Sequence, residues 1–294
     1  MMKNYTLIIM TVAALMTGCS DSDTPDQPTA SPYRPETEQS VMDKIKVVDI
    51  RQAPGQFVGH VEGTSVAEAC LSAEATVNEG RWVSLGAFGG YIVVMFDHSV
   101  KDNPQDYDFA IAGNSFDSSN EPGTVWVSQD ENLNGLPDDT WLELRGSDYD
   151  QPTTLHSYTV TYYCAQEGSP VAWTDSEGHE GTIDMGAFPS YISAYTYSFT
   201  GTRLEARTVH EDRLWKNLPF AWGYVDNMGS DRLPGDNHDA GANYNRFRIE
   251  DAVDANGRPA KLEYVDFIKV QCAVLSQSGP LGEVSTEVLG FKDL

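Results

Sequence analysis

Apolar residues along this chain fall mostly in short β-branched and aromatic runs divided by Gly, Pro, Asn and Asp. That punctuation predicts strands rather than helices. Residues 91–96 (YIVVMF) follow a Gly-Gly pair and read as a buried strand. Segments 108–112, 124–128 and 141–145 are short strands separated by turn chemistry, and 158–164 (YTVTYYC) and 191–199 are rich in β-formers. Further on, Ile268, Val270, Cys272 and Val274 alternate with Lys269 and Gln271, the pattern of a half-buried strand. Segment 284–291 closes the series. One segment breaks the rule: 64–77 (TSVAEACLSAEATV) is rich in Ala, and Ser65 with Glu68 three residues on fits a capping box. A helix is expected there.

Strands at this spacing predict a mainly β chain, an antiparallel β-sandwich with one or two short helices. Strands and helices do not alternate, which argues against a doubly wound α/β fold. The stretch 204–245 is long, polar and rich in Trp, Asp, Asn and Gly. Loops of that length are usually functional or held by a ligand.

The first residues follow a different logic. MMKNYTLIIMTVAALMTGC carries Lys3, then an apolar run at 7–16 too short to span a bilayer, then Thr17, Gly18 and Cys19. This resembles a bacterial lipobox, with Met16 where Leu is usual. The resemblance implies a signal peptide over 1–18 and lipidation of Cys19. Residues 19–42 are polar and rich in Pro, Ser, Thr and acid, a composition that predicts a flexible tether. Asp21 and Asp23 just after the cysteine resemble the surface-export signal of Bacteroidetes lipoproteins. One domain, 43–294, would follow, roughly 250 residues. No later stretch is long and apolar enough for a membrane-spanning helix.

The net charge of -25 repels nucleic-acid phosphates and anionic headgroups and attracts divalent cations. Once Cys19 is acylated, Cys70, Cys164 and Cys272 remain, an odd number. One disulfide with one buried thiol, or three buried thiols, both fit. Their wide spacing excludes a local zinc knuckle.

The sharpest motif is Asp130-Glu131-Asn132-Leu133-Asn134-Gly135, which matches D-x-N-x-N-G, the first half of a calcium loop. Side chains at 130, 132 and 134 sit at alternate positions and can converge on one ion. Gly135 permits the sharp turn, the Leu136 carbonyl can ligate, and Asp138 takes the ninth position. Trp141 stands where an EF-hand has its bidentate Glu, and no flanking helices are expected. The reading is therefore an EF-like calcium loop between strands; the plainer one is a hydrated Asx turn. A second cluster, Trp222, Tyr224, Asp226 and Asn227, with Asp231 beyond, combines flat apolar faces with oriented polar groups, as a sugar or polycyclic ligand needs. A buried structural corner is the plain alternative. Asp236-Asn237-His238-Asp239-Ala240-Gly241 spells D-x-H-x-x-G, a cobalt-ligand string in corrinoid enzymes, but without the α/β domain it needs.

Catalytic motifs are thin: there is no H-E-x-x-H and no G-x-S-x-G, and no catalytic residue is assigned. A carboxylate pair of the glycosidase kind has Glu121, Glu143, Glu283 and Glu287 as its candidates.

Several strings taken together, SLGAFGGYIVVMFDHSV (84–100), DFAIAGNSF (108–116), EPGTVWVSQDENLNGLPDDTWLELRGSDY (121–149), FAWGYVDN (220–227), FRIEDAVDANGRP (247–259), VDFIKVQCAV (265–274) and LGEVSTEVLGF (281–291), resemble a family of Bacteroidetes lipoproteins known as "cell surface protein". Leu142 departs from the Tyr usual in its W-x-E-L string. The resemblance implies a jelly-roll-like sandwich on the outer membrane, beside TonB-dependent transporters that include corrinoid importers. It carries no catalytic residues. The expected function is a calcium-stabilised, non-catalytic, surface-exposed module for capturing a glycan or corrinoid. Its binding rim would be built from the 130–139 and 215–245 loops. A surface glycan hydrolase and a structural surface-layer component are the alternatives.

Overall fold

The computed structural model describes residues 32–164, 169–184, 186–234 and 243–294. Cys19, most of the expected tether and the D-x-H-x-x-G string lie outside them. The described chain is mainly β, with one long helix and several short antiparallel sheets.

The largest sheet has six strands in the order Lys46–Arg51, Tyr91–Met95, Phe267–Cys272, Gly123–Ser128, Leu142–Leu144, Ala252–Val253. Its two faces differ. Ile50, Ile92, Val94, Val125, Val127, Leu144, Ile268 and Val270 share one core with Phe109, Ile111, Phe247 and Phe291 of a three-stranded sheet, Asn243–Phe247, Phe109–Gly113 and Gly290–Asp293. The helix, Val66–Asn78, adds Ala69, Cys70, Ala73 and Val77 to that core. Burial of this apolar face is the main stabilising term. The opposite face carries Lys269, Trp126 and Glu143 on adjacent paired strands.

A four-stranded sheet, Glu180–Ile183, Val171–Asp175, Leu155–Tyr163 and Thr196–Arg203, has its own core of Tyr158, Val160, Tyr162, Tyr197 and Phe199 around Phe88. The Gly-Gly pair admits this contact. A Cβ on Gly89 would lie 2.2 Å from that of Phe199, and one on Gly90 would lie 1.8 Å from the Leu85 carbonyl oxygen. Both are closer than real Cβ contacts, so a side chain at either position forces the layers apart.

The helix starts where the capping residues place it. Ser65 Oγ accepts from the Glu68 amide at 3.3 Å. Glu68 reaches back to Thr64, accepting from its amide at 2.7 Å and its hydroxyl at 2.8 Å. Segment 191–199 begins later than expected: the strand is Thr196–Arg203, and Tyr191 is a buried turn residue whose hydroxyl accepts from the Gln52 amide. The expected closing strand is two short ones, Glu287–Val288 and Gly290–Asp293. The 204–245 stretch holds a hairpin, Thr208–Glu211 with Leu214–Asn217. Among the described residues, Cys70, Cys164 and Cys272 form no disulfide; Cys70 and Cys272 are buried and Cys164 is exposed.

The end of the expected tether is docked. Arg34 donates through Nη1 to the Phe96 carbonyl at 3.0 Å and through Nη2 to that of His98 at 3.2 Å, and its guanidinium meets Asp266 at 3.2 Å. Short-range composition reads as a linker, but one guanidinium with several buried acceptors overrides it. Among the described residues, no helix is long and apolar enough to cross a membrane.

Candidate ligand and cation sites

Strand pairing sets Lys269 against Trp126 and Trp126 against Glu143, a row across three strands on the charged face of the six-stranded sheet. Trp141 lies two residues before Glu143, so the pleat turns both to the same side. The Lys269 ammonium sits 4.6 Å from the Trp126 ring and 4.8 Å from that of Trp141. Such contacts fix both indoles. Burial pushes the Lys269 ammonium down to about 8, against the pull of Glu143 and Asp49. Burial also pushes the Glu143 carboxyl up to about 7, opposed by a Thr202 hydroxyl at 2.6 Å and by Lys269.

Trp126, Trp141, Glu143 and Thr202 line a cavity of about 490 Å³, together with Arg145, Tyr149, Asp150, His156 and Asp254. The His156 ring lies 4.4 Å from that of Tyr149, and the Arg145 guanidinium lies 4.6 Å from the Tyr149 ring on its own account. Arg145 pairs with Asp150 at 2.5 Å. Asp254 caps its own turn, accepting from the amides of Asn256 at 2.8 Å and Arg258 at 3.0 Å. Glu143 is thus the acid in this cavity with neither a basic partner within salt-bridge reach nor a turn to cap. Trp141 also lines the neighbouring cavity, with Asp49, Tyr91 and Lys269.

The loop leading into Trp141 is the calcium-type motif. Asp130, buried, turns the backbone around itself: Oδ1 accepts from the Asn134 amide at 3.0 Å and Oδ2 from that of Gly135 at 2.9 Å. The Asn132 side-chain amide lies 3.1 Å from Asp138 Oδ1, and that of Asn134 lies 3.0 Å from Asp138 Oδ2. The Leu136 amide donates to Asn134 Oδ1 at 2.7 Å, and Gly135 takes φ +70°. The alternate side chains therefore converge. An oxygen-coordinated cation would need both amides to turn their oxygens inward, which gives up the bonds those oxygens accept from the Asn134 and Leu136 amides.

The second expected cluster is different in kind. Trp222, 39% exposed, lines a cavity of about 310 Å³ with Tyr107, Asp231 and Arg246. Tyr224, Asp226 and Asn227 are buried and cannot form an open rim. The Tyr224 hydroxyl accepts from the Asp148 amide at 3.1 Å. Asn227 clamps its own turn, accepting from the Phe220 amide at 2.8 Å and donating to the Phe220 carbonyl at 3.0 Å. Gly223 at φ +86° and Asp226 at φ +59° turn the segment inward. The expected joint rim also fails on geometry. Gly123 bridges Val225 at one end of strand Gly123–Ser128, and the 130–139 loop leaves the other end. Those ends are roughly 17 Å apart at strand rise.

Asp226 instead meets Glu121 and Glu287, with carboxylate oxygens within 4.8 Å of one another. Asp226 Oδ1 accepts from the Asn114 amide at 2.9 Å and Oδ2 from that of Glu287 at 3.0 Å. Burial pushes Glu121 up to about 7, and burial with mutual repulsion raises Asp226 and Glu287 well above the carboxylate range. Glu287 bonds to Glu121 in a way that raises its own affinity for a proton and lowers that of Glu121. The sequence singles out Glu121 and Glu287 as candidate carboxylates and Asp226 as a ligand contact, but their convergence was not legible, because they lie far apart in the chain. The second group able to hold a metal is Glu36, His98 and Asp293. There His98 is already engaged on both nitrogens, with Asp97 at 2.6 Å and Asp293 at 2.7 Å.

No protein-family model matches the chain, and no curated protein is significantly similar to it.

Proposed function

We propose that this chain is a non-catalytic ligand-binding module, lipid-anchored at Cys19 on the cell surface, that takes a glycan in the Trp126–Trp141–Glu143 cavity. The supporting observation is the pair of indoles held by Lys269 beside one carboxyl, in an open cavity of about 490 Å³. Flat apolar faces with a few oriented polar groups suit a sugar ring. A cavity, rather than a flat rim, favours binding over a scaffold. The glycan is preferred to a corrinoid because the aromatic surfaces are two indoles flanked by Arg145, Glu143 and His156, not one broad apolar cleft.

Ca²⁺ in this reading is held by Asp130, Asn132, Asn134, the Leu136 carbonyl and Asp138. When bound, it neutralises the loop's carboxylates and stiffens the approach to Trp141. The mature domain would adopt a jelly-roll-like sandwich and pass its ligand to a TonB-dependent transporter in the same outer membrane.

A two-carboxylate hydrolase fits less well. Glu121 and Glu287 are hydrogen-bonded to each other, closer than the spacing of about 5 Å or more that glycosidase pairs need. In the indole cavity, Asp150 and Asp254 are tied to Arg145 and to a turn.

A thermal-shift screen of the purified full-length chain tests this reading. Ca²⁺ should raise the melting temperature of the wild type and not of Asp138→Ala. A glycan that binds should raise it further, and Trp126→Ala should abolish the second rise. At one hundred times Kd a ligand stabilises by about 2.7 kcal/mol. Silence toward every glycan, with a response to cobalamins, would transfer the assignment to corrinoids.

A further inference from the structure

A different cavity, of about 340 Å³, opens beside the three-carboxylate cluster. Glu121, Glu283 and Glu287 form its acidic side, and Phe57, Trp82, Phe116 and Leu281 form its apolar side. Among the described residues, no Lys or Arg lines it.

Glu283 is the informative member. Its side chain is buried, with 6% of the residue exposed. Oε1 accepts from the Gln56 amide at 2.7 Å. Oε2 is also buried and, among the described residues, has no hydrogen-bond partner. A buried carboxyl oxygen without a donor lacks the hydrogen bond it could accept, and burial accordingly raises the proton affinity of Glu283. A ligand with N–H donors supplies that bond.

The apolar side restricts what kind of ligand that is. The Phe57 and Trp82 rings meet edge to face at 5.5 Å. Phe116 is 59% exposed and Leu281 63% exposed. A bare divalent ion gains nothing from these surfaces. A cation with a carbon body gains both from covering them and from facing the rings. Carboxylates accept only, and an ammonium donates only.

From the unpartnered Glu283 oxygen, the convergent Glu121 and Glu287, and the aromatic wall, we propose that this cavity binds a small organic ammonium, a protonated amine on an apolar body. The nitrogen sits against Glu283 and Glu121, and the body rests on Trp82 and Phe116. This site shares no lining residue with the indole cavity, so each stands or falls alone.

Isothermal titration calorimetry of the purified full-length chain tests it, with phenethylammonium as the probe and 2-phenylethanol as its neutral counterpart. The ammonium should bind at least about tenfold more tightly than the alcohol. Glu283→Gln retains the acceptor for Gln56 and should weaken ammonium binding about tenfold. Phe116→Ala removes an exposed side chain, leaves the fold intact and should also weaken it. Equal affinity for ammonium and alcohol overturns the proposal, as does binding that ignores both substitutions. Mn²⁺ binding that Glu287→Gln abolishes and Asp138→Ala spares, with no ammonium binding, overturns it in favour of a metal site.

Discussion

The amide of Asp130 donates to Oδ2 of Asp266 at 2.9 Å, so the first residue of the calcium-type loop hangs from a carboxylate on the central strand's approach. The other oxygen, Oδ1, accepts from the Ser99 hydroxyl at 2.6 Å and from Arg34 at 3.2 Å. One buried side chain therefore joins the loop, the sheet and the N-terminal segment. Asp266→Ala strands all three donors. It should cost about 2–3 kcal/mol, read as a fall of several degrees in melting temperature. If the loop holds Ca²⁺, the same variant should weaken calcium binding, measured as a smaller calcium-induced rise in melting temperature.

Trp141→Ala and Trp126→Ala each remove one indole from the cavity. Each should lower affinity for a bound glycan by about tenfold or more, on the scale of a lost aromatic contact. Glycan-array binding measures this. Trp222→Ala, in a separate cavity, should leave the same signal unchanged.

Lys269 holds the Glu143 carboxyl down, while burial raises it to about 7. Lys269→Met removes that attraction, so the Glu143 midpoint should climb further. Carboxyl bands in difference infrared titration, assigned with Glu143→Gln, check the shift. Glu143 binds its proton more tightly folded than unfolded, so between 4.5 and about 7 the native state carries more protons. Its contribution is therefore fully present at pH below 4.5 and fades as pH rises through about 7.

The Glu121–Asp226–Glu287 cluster works in the same direction. All three carboxyls are raised, Glu121 to about 7, so rising pH forces charge into a buried site. Gln at 287 mimics the protonated acid and can still donate to Glu121. Glu287→Gln should melt higher than the wild type above pH 7 and match it near pH 5. Equal melting curves at both pH values would show that Glu287 does not ionise in the native protein.

Strands and the helix were legible because their signals are local. Alternation at 268–272, the apolar run at 91–95 and the Ser65–Glu68 cap each lie within one element. The indole site was half legible: Trp141 directly precedes the strand Leu142–Leu144 and Glu143 lies two residues on, a same-face signal in plain view. Trp126 joins them only through cross-strand register, which a single sequence does not fix. The segment 222–227 misled because aromatic and amide residues beside Gly look like a surface loop. Positive φ at Gly223 and Asp226 turns them into the protein, and that depends on tertiary partners such as Asp148 and Asn114. Lys269 is half-buried as its place in the alternation predicts, whereas Gln271, expected on the same wet side, is buried, its side-chain amide donating to the Gly89 carbonyl at 2.9 Å.

The six-stranded sheet has one oily face and one charged face, and this divides the labour of its residues. Substitutions among Val125, Ile268 and Leu144 endanger the whole structure, because the main core rests on them. Changes at Trp126, Trp141 and Glu143 spare that core and reshape the cavity they line. Descendants of this sequence can therefore change the lining of that cavity on one side of a sheet while the other side keeps them folded.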